Sequence, residues 1–236
     1  MSGIEGGPAA GEQPIRITAD MLDVPRPVDV RVDFEQGMGY APPATLTLIV
    51  ALGAIFGWQL SSGALTSEQS IIAAGALVRE RVMQGEWWRL LSATVLHGNL
   101  EHIVGNAVSL YILGMATEHA YGTRSMLGIY LASGLAGSVL SAAMSPGPSV
   151  GASGAIFGLM GAVMVLFWRH HNALMVRDKR IGVVIAVWAF LTIAAGLVTP
   201  MIDNAAHLGG MFGGMAVAWT MRPRILARRV VYLNDR

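Results

Sequence analysis

Residues 125–168 read SMLGIYLASGLAGSVLSAAMSPGPSVGASGAIFGLMGAVMVLFW, a stretch of 44 residues without one charged side chain. Three further uncharged runs cover 41–67, 181–202 and 204–221. Charged residues make up 13% of the 236-residue chain, about half the share in an average soluble domain, roughly 25%. Since a soluble domain needs a polar face on nearly every element, this pattern excludes a soluble globular protein, a nucleic-acid binder and a disordered chain. It indicates a membrane protein.

The uncharged runs divide into segments that match the thickness of a bilayer, which about 20 apolar residues cross as a helix. The sequence SPGPS at 145–149 cannot continue a helix, so it splits the longest run in two. We therefore predict an all-α polytopic membrane protein, a bundle of six transmembrane helices. The six predicted spans are 45–65, 102–117, 125–144, 152–168, 181–198 and 205–221.

The segment 66–101 differs from the spans, because it contains three Arg and four Glu and its apolar pieces are short. We predict a long loop between spans 1 and 2 that lies at the membrane interface. Trp87 and Trp88 are its expected anchors, since tryptophan favours the interface.

Basic residues predict the topology. With both termini in the cytoplasm, 13 Lys and Arg lie inside and three lie outside, as the positive-inside rule requires. We expect a flexible acidic cytosolic tail at 1–40, the six-span domain at 41–221 and a basic cytosolic tail at 222–236. The first 40 residues have no early apolar core, and their acidity argues against a mitochondrial transit peptide. These features favour a plasma membrane, the inner membrane if the source is bacterial.

A few polar residues lie within or beside the predicted spans, where they are costly and indicate function. All of them fall at the starts of spans 2, 4 and 6, which begin on the external side. They therefore share one depth near the exterior or periplasm. The set comprises Glu101, His102, Asn106, Ser153, Asp203, Asn204 and His207.

Helical spacing groups these residues into a candidate catalytic site. His102 and Asn106 are four residues apart and share a face, while His207 forms one stripe with Gly210 and Gly214. Small residues let membrane helices approach closely, as a histidine needs to reach Ser153 and activate it as a nucleophile. Ser153 also begins its helix, where free backbone N–H groups can bind an oxyanion.

Each feature has an alternative interpretation. A serine at a helix start is usually an N-cap, a glycine-rich helix pair is usually packing, and Asp203 is expected to cap span 6. His97 is structural or bonds within the external loop. Neither His-Glu-x-x-His nor a cysteine occurs, so we predict no metal and no thiolate chemistry, and an aspartyl protease would need a second membrane Asp. Solvated or packing histidines are expected at His119, His170 and His171.

Three motifs together resemble the rhomboid intramembrane serine proteases. They are HGNLEHIVGN at 97–106, GASGAIFG at 151–158 and AHLGG at 206–210, followed by Gly214. The motifs occur in the family's order on spans 2, 4 and 6, and the resemblance covers about 45–221. Further marks that resemble the family are Trp88, Arg89, Glu118 and Gly122.

The resemblance implies an intramembrane serine endopeptidase with Ser153 as nucleophile and His207 as general base and acid. Phe157 would lie against the His207 ring, and His102, Asn106 and the Ser153 N–H would form the oxyanion hole. The supporting residues are Gly151, Phe157, Gly210 and Gly214. No cofactor is implied. The expected partners are the lipid bilayer and single-span membrane proteins, whose helices would unwind near their external ends after entering between spans 2 and 5.

Two other functions compete with proteolysis. A non-catalytic rhomboid-like protein would bind and escort membrane clients, although such proteins usually lack the Ser or the His that this chain keeps. A small transporter would favour inverted repeats or broken helices at mid-membrane, whereas these polar groups cluster near one face.

Overall fold

The described residues, 31–175, 179–199 and 202–228, are helical apart from connecting loops and two isolated β-bridges in a computed structural model. They form nine α-helices and two short 3-10 turns, Ala93–Val95 and Arg224–Arg228. The helices are α1 (Pro43–Ser61), α2 (Glu68–Ala74), α3 (Arg79–Met83), α4 (Arg89–Ser92), α5 (Leu100–Tyr121), α6 (Thr123–Met144), α7 (Ser153–Arg169), α8 (Lys179–Val198) and α9 (Asn204–Thr220).

Six long helices, α1 and α5 to α9, occupy the positions of the predicted spans. Within the described ranges, three of them are long and apolar enough to cross a membrane, at Pro43–Ser61, Thr123–Met144 and Arg180–Val198. The helix Ser153–Arg169 is apolar but shorter, and α9 also has only 17 residues. The all-helical fold with several apolar helices is thus present, while the count of six spans stays a prediction.

Local sequence explains where the helices begin and end. Pro43 occupies the first position of α1, where its missing N–H costs nothing. The Asn99 side chain caps α5 by accepting the His102 N–H at 2.8 Å. Gly122, with φ of 87°, separates α5 from α6, and a positive φ of this kind favours glycine. The prolines within 145–149 end α6 before α7 begins.

The predicted loop between spans 1 and 2 folds into the short helices α2, α3 and α4. Arg89, only 2% exposed, holds it together. Its guanidinium donates to Glu86 at 2.6 Å and to the carbonyls of Ile72 and Ala76 at 2.6 and 2.9 Å. Trp87 and Trp88 are 61% and 51% exposed. These indoles are available to a membrane interface, and the interfacial position of the loop stays a prediction.

The central helix of the bundle is α7, whose side chains are buried along most of its length. It packs against α5, α6, α8 and α9. Of the three helices long and apolar enough to cross a membrane, α8 is the least enclosed, because only 11% of its apolar window is buried, against 28% for α1 and 44% for α6. A central helix that carries Ser153 places this residue among the neighbouring helices rather than at the lipid surface.

Glutamate Glu118 joins three helices at the end of the bundle opposite Ser153. Its carboxylate accepts the N–H groups of Ala44 and Thr45 at 3.1 and 3.0 Å, and the hydroxyl of Thr123 at 2.8 Å. It therefore satisfies free N–H groups at the start of α1 and ties α1 and α6 to α5.

The described packing reaches back into the predicted N-terminal tail. Residues 1–30 lie outside the described residues, as do 229–236 of the predicted C-terminal tail. Val32, however, pairs with Leu174 through a β-bridge. Phe34 is 2% exposed, with its ring centroid 5.1 Å from that of Phe167 and 5.7 Å from that of His119. Burial of this aromatic ring keeps residues 32–34 against the bundle. The division of the chain at residue 40 stays a prediction.

Candidate active site

Ser153 is the first residue of α7 and follows the N-cap Ala152. No side-chain capping hydrogen bond is formed at this helix start. The alternative in which the Ser153 hydroxyl serves as an N-cap therefore does not hold in this structure. The side chain is half-buried, and its position in the first turn leaves it beside N–H groups that lack intrahelical partners.

His207 lies one turn into α9 and stacks on Phe157 of α7. The two ring centroids are 4.2 Å apart and the planes differ by 5°. His207 is 6% exposed and Phe157 is 5% exposed, so the stack is shielded from the surroundings. Because Phe157 is four residues after Ser153, the stack places the imidazole against the same face of α7 as the serine.

Helices α7 and α9 approach each other through backbone atoms. A Cβ added to Gly154 would lie 3.1 Å from the carbonyl oxygen of Ala206, and one added to Gly210 would overlap the backbone of Gly154. The first of these contacts joins Gly154, the residue after Ser153, to Ala206, the residue before His207. Between the described side chains of Ser153 and His207 there is no hydrogen bond, and such bonds often tighten only when substrate binds.

Gly151, His102 and Asn106 form the other wall of the site. Gly151 has φ of 134°, and a Cβ there would lie 2.7 Å from His102 Cε1 and 3.7 Å from Asn106 Nδ2. The amide nitrogen of Asn106 is buried and has no partner among the described residues. A buried donor without a partner is available to an oxyanion, and it lies beside the backbone that leads into Ser153.

The sequence motifs did not reveal how His97 is held. Its side chain is fully buried, and its ring centroid is 5.1 Å from that of His102. Gln59 of α1 donates to the His97 carbonyl at 3.0 Å and accepts its N–H at 3.0 Å. Burial, together with the neighbouring His102, lowers the pKa of His97 to about 4, so this ring is neutral at pH 7. The signal in the sequence that could have revealed this contact is Gln59, an amide side chain within an otherwise apolar predicted span.

Asp203 does cap α9, as expected, and accepts the Ala206 N–H at 3.0 Å. It also accepts the hydroxyls of Ser141 and Ser145 at 2.5 and 2.7 Å, which sequence reasoning missed. Burial raises the pKa of Asp203, but hydrogen bonds from Ser141, the Ala206 N–H and Ser145 outweigh this effect and hold the pKa below the ordinary value. The residue is therefore an anion at neutral pH.

The remaining polar residues of the predicted set do not join the site. Glu101 is exposed. The Asn204 amide donates to the Ile193 carbonyl at 3.0 Å, which links α9 to α8 instead. Within the described part of the chain, no three His, Cys, Asp or Glu residues lie together so as to hold a metal.

A small cavity of about 10 Å³ lies beside Gly154 and Ala206, the chain neighbours of Ser153 and His207. Its walls include the backbone around Gly151 and Gly154 and the residues Ser138, Ser141 and Ser149. This volume is close to what one water requires, and hydroxyl groups supply the partners that a buried water needs.

Sequence comparisons agree with the motifs. A family model for the rhomboid domain matches residues 84–224. The rhomboid protease AarA of Providencia stuartii is 30% identical over 210 residues, 77% of this chain and 74% of that protein. The rhomboid protease GluP of Bacillus subtilis (strain 168) is 37% identical over 177 residues, 75% of this chain and 34% of GluP. RHOMBOID-like protein 5 of Arabidopsis thaliana is 33% identical over 168 residues, 69% of this chain and 52% of the relative. The chain thus spans about half or less of the length of the latter two proteins.

Proposed function

Because this chain belongs to the rhomboid family, we propose that it is a serine-type intramembrane endopeptidase that uses Ser153 and His207. The observation that carries the proposal is the stack of His207 on Phe157, with centroids 4.2 Å apart. A stacked ring is fixed in place, and fixing the imidazole is one task that the aspartate performs in a catalytic triad.

The reaction follows from the chemistry of these groups. Ser153 Oγ attacks the scissile carbonyl carbon while His207 accepts its proton. His207 then protonates the leaving amine, which gives an acyl-enzyme, and a water attacks the ester by the reverse sequence. This hydrolysis returns the serine and releases the second product as a carboxylic acid.

His102, Asn106 and the Ser153 N–H are the proposed donors to the tetrahedral oxyanion. The Asn106 amide is buried without a described partner, and His102 lies against Gly151. Donors fixed before the reaction stabilise developing charge without further reorganisation. Gly151 keeps the approach open, since any side chain there would meet the His102 ring.

The proposed substrates are single-span membrane proteins cleaved near the external ends of their helices. A peptide bond within a helix is shielded by its own hydrogen bonds, so cleavage requires local unwinding. We place entry between α5 and α8, because only 11% of the apolar window of α8 is buried, the lowest share among the three helices long and apolar enough to cross a membrane. We further propose six spans in a plasma membrane, with both termini cytoplasmic and the site facing the exterior or periplasm, in line with the 13-to-3 distribution of basic residues.

A cleavage assay in liposomes tests the proposal directly. Ser153→Ala should abolish hydrolysis of a fluorogenic transmembrane substrate, whereas Ser61→Ala, an exposed serine of α1, should not. Full activity in Ser153→Ala would refute the assignment. If the wild-type protein and the variants all bound the substrate and none of them cleaved it, the result would support the non-catalytic alternative.

Probe labelling separates the two catalytic residues. A fluorophosphonate should label wild-type protein at Ser153, and His207→Ala should lose this labelling because the serine is no longer activated. His171→Ala, which changes an exposed histidine, is the matched control. His102→Ala and Asn106→Ala should each lower kcat by about 100- to 1000-fold if each provides one oxyanion donor. Unchanged kcat in both would place the oxyanion hole elsewhere.

A further inference from the structure

Asp203 forms more bonds than an N-cap requires. A capping side chain needs to accept one N–H of the first turn, and Asp203 does so from Ala206. Its two oxygens also accept hydroxyls from Ser141, in the last turn of α6, and from Ser145, directly after that helix. The carboxylate therefore joins the start of α9 to the end of α6.

This junction lies one helical turn from the general base. The His207 N–H donates to the Asp203 carbonyl at 3.1 Å, so the two residues share the first turn of α9. Moreover, Ser145 begins the connection from α6 to α7, which leads to Ser153. A shift of the Asp203 carboxylate would thus move both ends of the proposed pair.

Charge adds a second role. Transfer of the serine proton makes His207 an imidazolium, and a fixed negative charge in a poorly solvated site stabilises this cation. The titratable groups that act on His207 are Asp203 on its own helix and His102 on α5. Phe157, which covers the ring from α7, is uncharged. Asp203 is consequently the anion available to His207 among the described groups that act on it.

We propose that Asp203 is a positioning residue for the Ser153–His207 pair, which fixes the start of α9 through Ser141 and Ser145 and stabilises the His207 imidazolium by its charge. This inference rests on the proposed proteolytic function. Asp203 does not touch the reacting atoms, so its role is exerted through His207. It takes over part of the task of a triad aspartate from a different position.

The test is a pH profile of kcat/KM for Asp203→Asn in liposomes. Asparagine keeps a good N-cap and a similar volume but removes the charge. We expect kcat to fall about tenfold, KM to change little, and the acid limb of the profile to move to lower pH by on the order of one unit, since one unit corresponds to a tenfold change in an equilibrium. An acid limb that stays in place would overturn the proposal.

Two control variants separate charge from structure. Ser141→Ala removes one hydrogen bond and keeps the anion, so it should lower the unfolding temperature without moving the acid limb downward. Glu80→Gln removes an exposed carboxylate from α3 and should leave the profile unchanged. If Ser141→Ala moved the limb as far as Asp203→Asn does, the effect would be structural and the charge role would be wrong.

Further measurements distinguish failure of this inference from failure of the proposed function. Wild-type protein that neither cleaves substrate nor reacts with a fluorophosphonate would refute the proposed function itself. Active, labelled wild type with an unshifted Asp203→Asn profile would refute only the role of Asp203. Should Asp203→Asn not fold, Asp203→Ser supplies a neutral N-cap for the same profile. Loss of the fold in both neutral variants would assign Asp203 a structural role and overturn the proposal.

Discussion

Helices α7 and α9 are in backbone contact at Gly214, which allows a quantitative prediction for Gly214→Ala. A Cβ at Gly214 would lie 2.5 Å from both the Cα and the carbonyl carbon of Gly158, and closer still to its oxygen. Carbon atoms in contact prefer about 3.5–4.0 Å. The two helices must therefore separate locally by about 1 Å, because the obstacle is backbone and not a flexible side chain.

A displacement of this size acts on the proposed reaction, since Ser153 is carried by α7 and His207 by α9. A misplacement of about 1 Å can lower a rate by about 100-fold. We expect Gly214→Ala to lower kcat by about this factor and to destabilise the fold by about 1–3 kcal/mol, the usual cost of overpacking. KM should change less, because neither glycine belongs to the proposed substrate entry.

The matched control is Gly128→Ala in α6, where an added Cβ meets nothing within 4 Å. That variant should keep full activity and gain up to about 1 kcal/mol from the higher helix propensity of alanine. Cleavage of a fluorogenic transmembrane substrate in liposomes and thermal unfolding of the same samples provide the two readouts. Equal kcat for Gly214→Ala and Gly128→Ala would refute the argument that backbone contact sets the geometry of the pair.

Three more predictions concern single contacts of the site. Gly151→Ala should lower kcat by about 100-fold or more, because its Cβ would lie 2.7 Å from the His102 ring. The control Gly147→Ala, which has open space around the added Cβ, should keep the wild-type kcat. Equal kcat values for the two variants would contradict the prediction. Phe157→Leu should keep the fold but lower kcat about two- to twelvefold through loss of ring stacking, and single-turnover kinetics will show whether the loss lies in the chemical step. Burial raises the pKa of Asp203, but hydrogen bonds to its carboxylate outweigh burial and hold the pKa below its ordinary value. The ionised carboxylate therefore stabilises the fold at pH values above the ordinary pKa, and this stabilisation is lost as the pH falls through the lowered pKa of the folded state. The difference in unfolding temperature between wild type and Asp203→Asn should therefore shrink on acidification, and a difference that grew would have the wrong sign.

Much of the helical layout was predictable because it depends on local composition. Uncharged runs and the break at 145–149 place α6 and α7 within a few residues of their positions in the structure. Predicted span 1 ran to residue 65, whereas α1 ends at Ser61, since apolar content alone does not show where Gly63 turns the chain with φ of 74°. Along α5, helix extends beyond the predicted 102–117 in both directions, because polar residues interrupt the hydropathy without interrupting the helix.

The residues proposed for the site were found from the sequence for a similar reason. Few polar side chains occur near the predicted spans, and His102, Asn106, Ser153 and His207 all fall at the starts of predicted spans 2, 4 and 6. Helical spacing then grouped them without knowledge of the packing. Gln59 escaped this reasoning, because a lone amide in an apolar span gives no indication of the partner whose backbone it binds.

By itself, the sequence determined that this is a helical membrane protein of the rhomboid type and which polar residues fall at the starts of apolar segments, because charge distribution and helical period are local properties of the chain. Only the tertiary structure decided that Ser153 is not an N-cap, that Phe157 stacks on His207, and that Asp203 binds Ser141 and Ser145. Those contacts depend on the register and separation of α6, α7 and α9. Their separation follows from backbone contact between glycines on facing helices, which no pattern within one helix can specify.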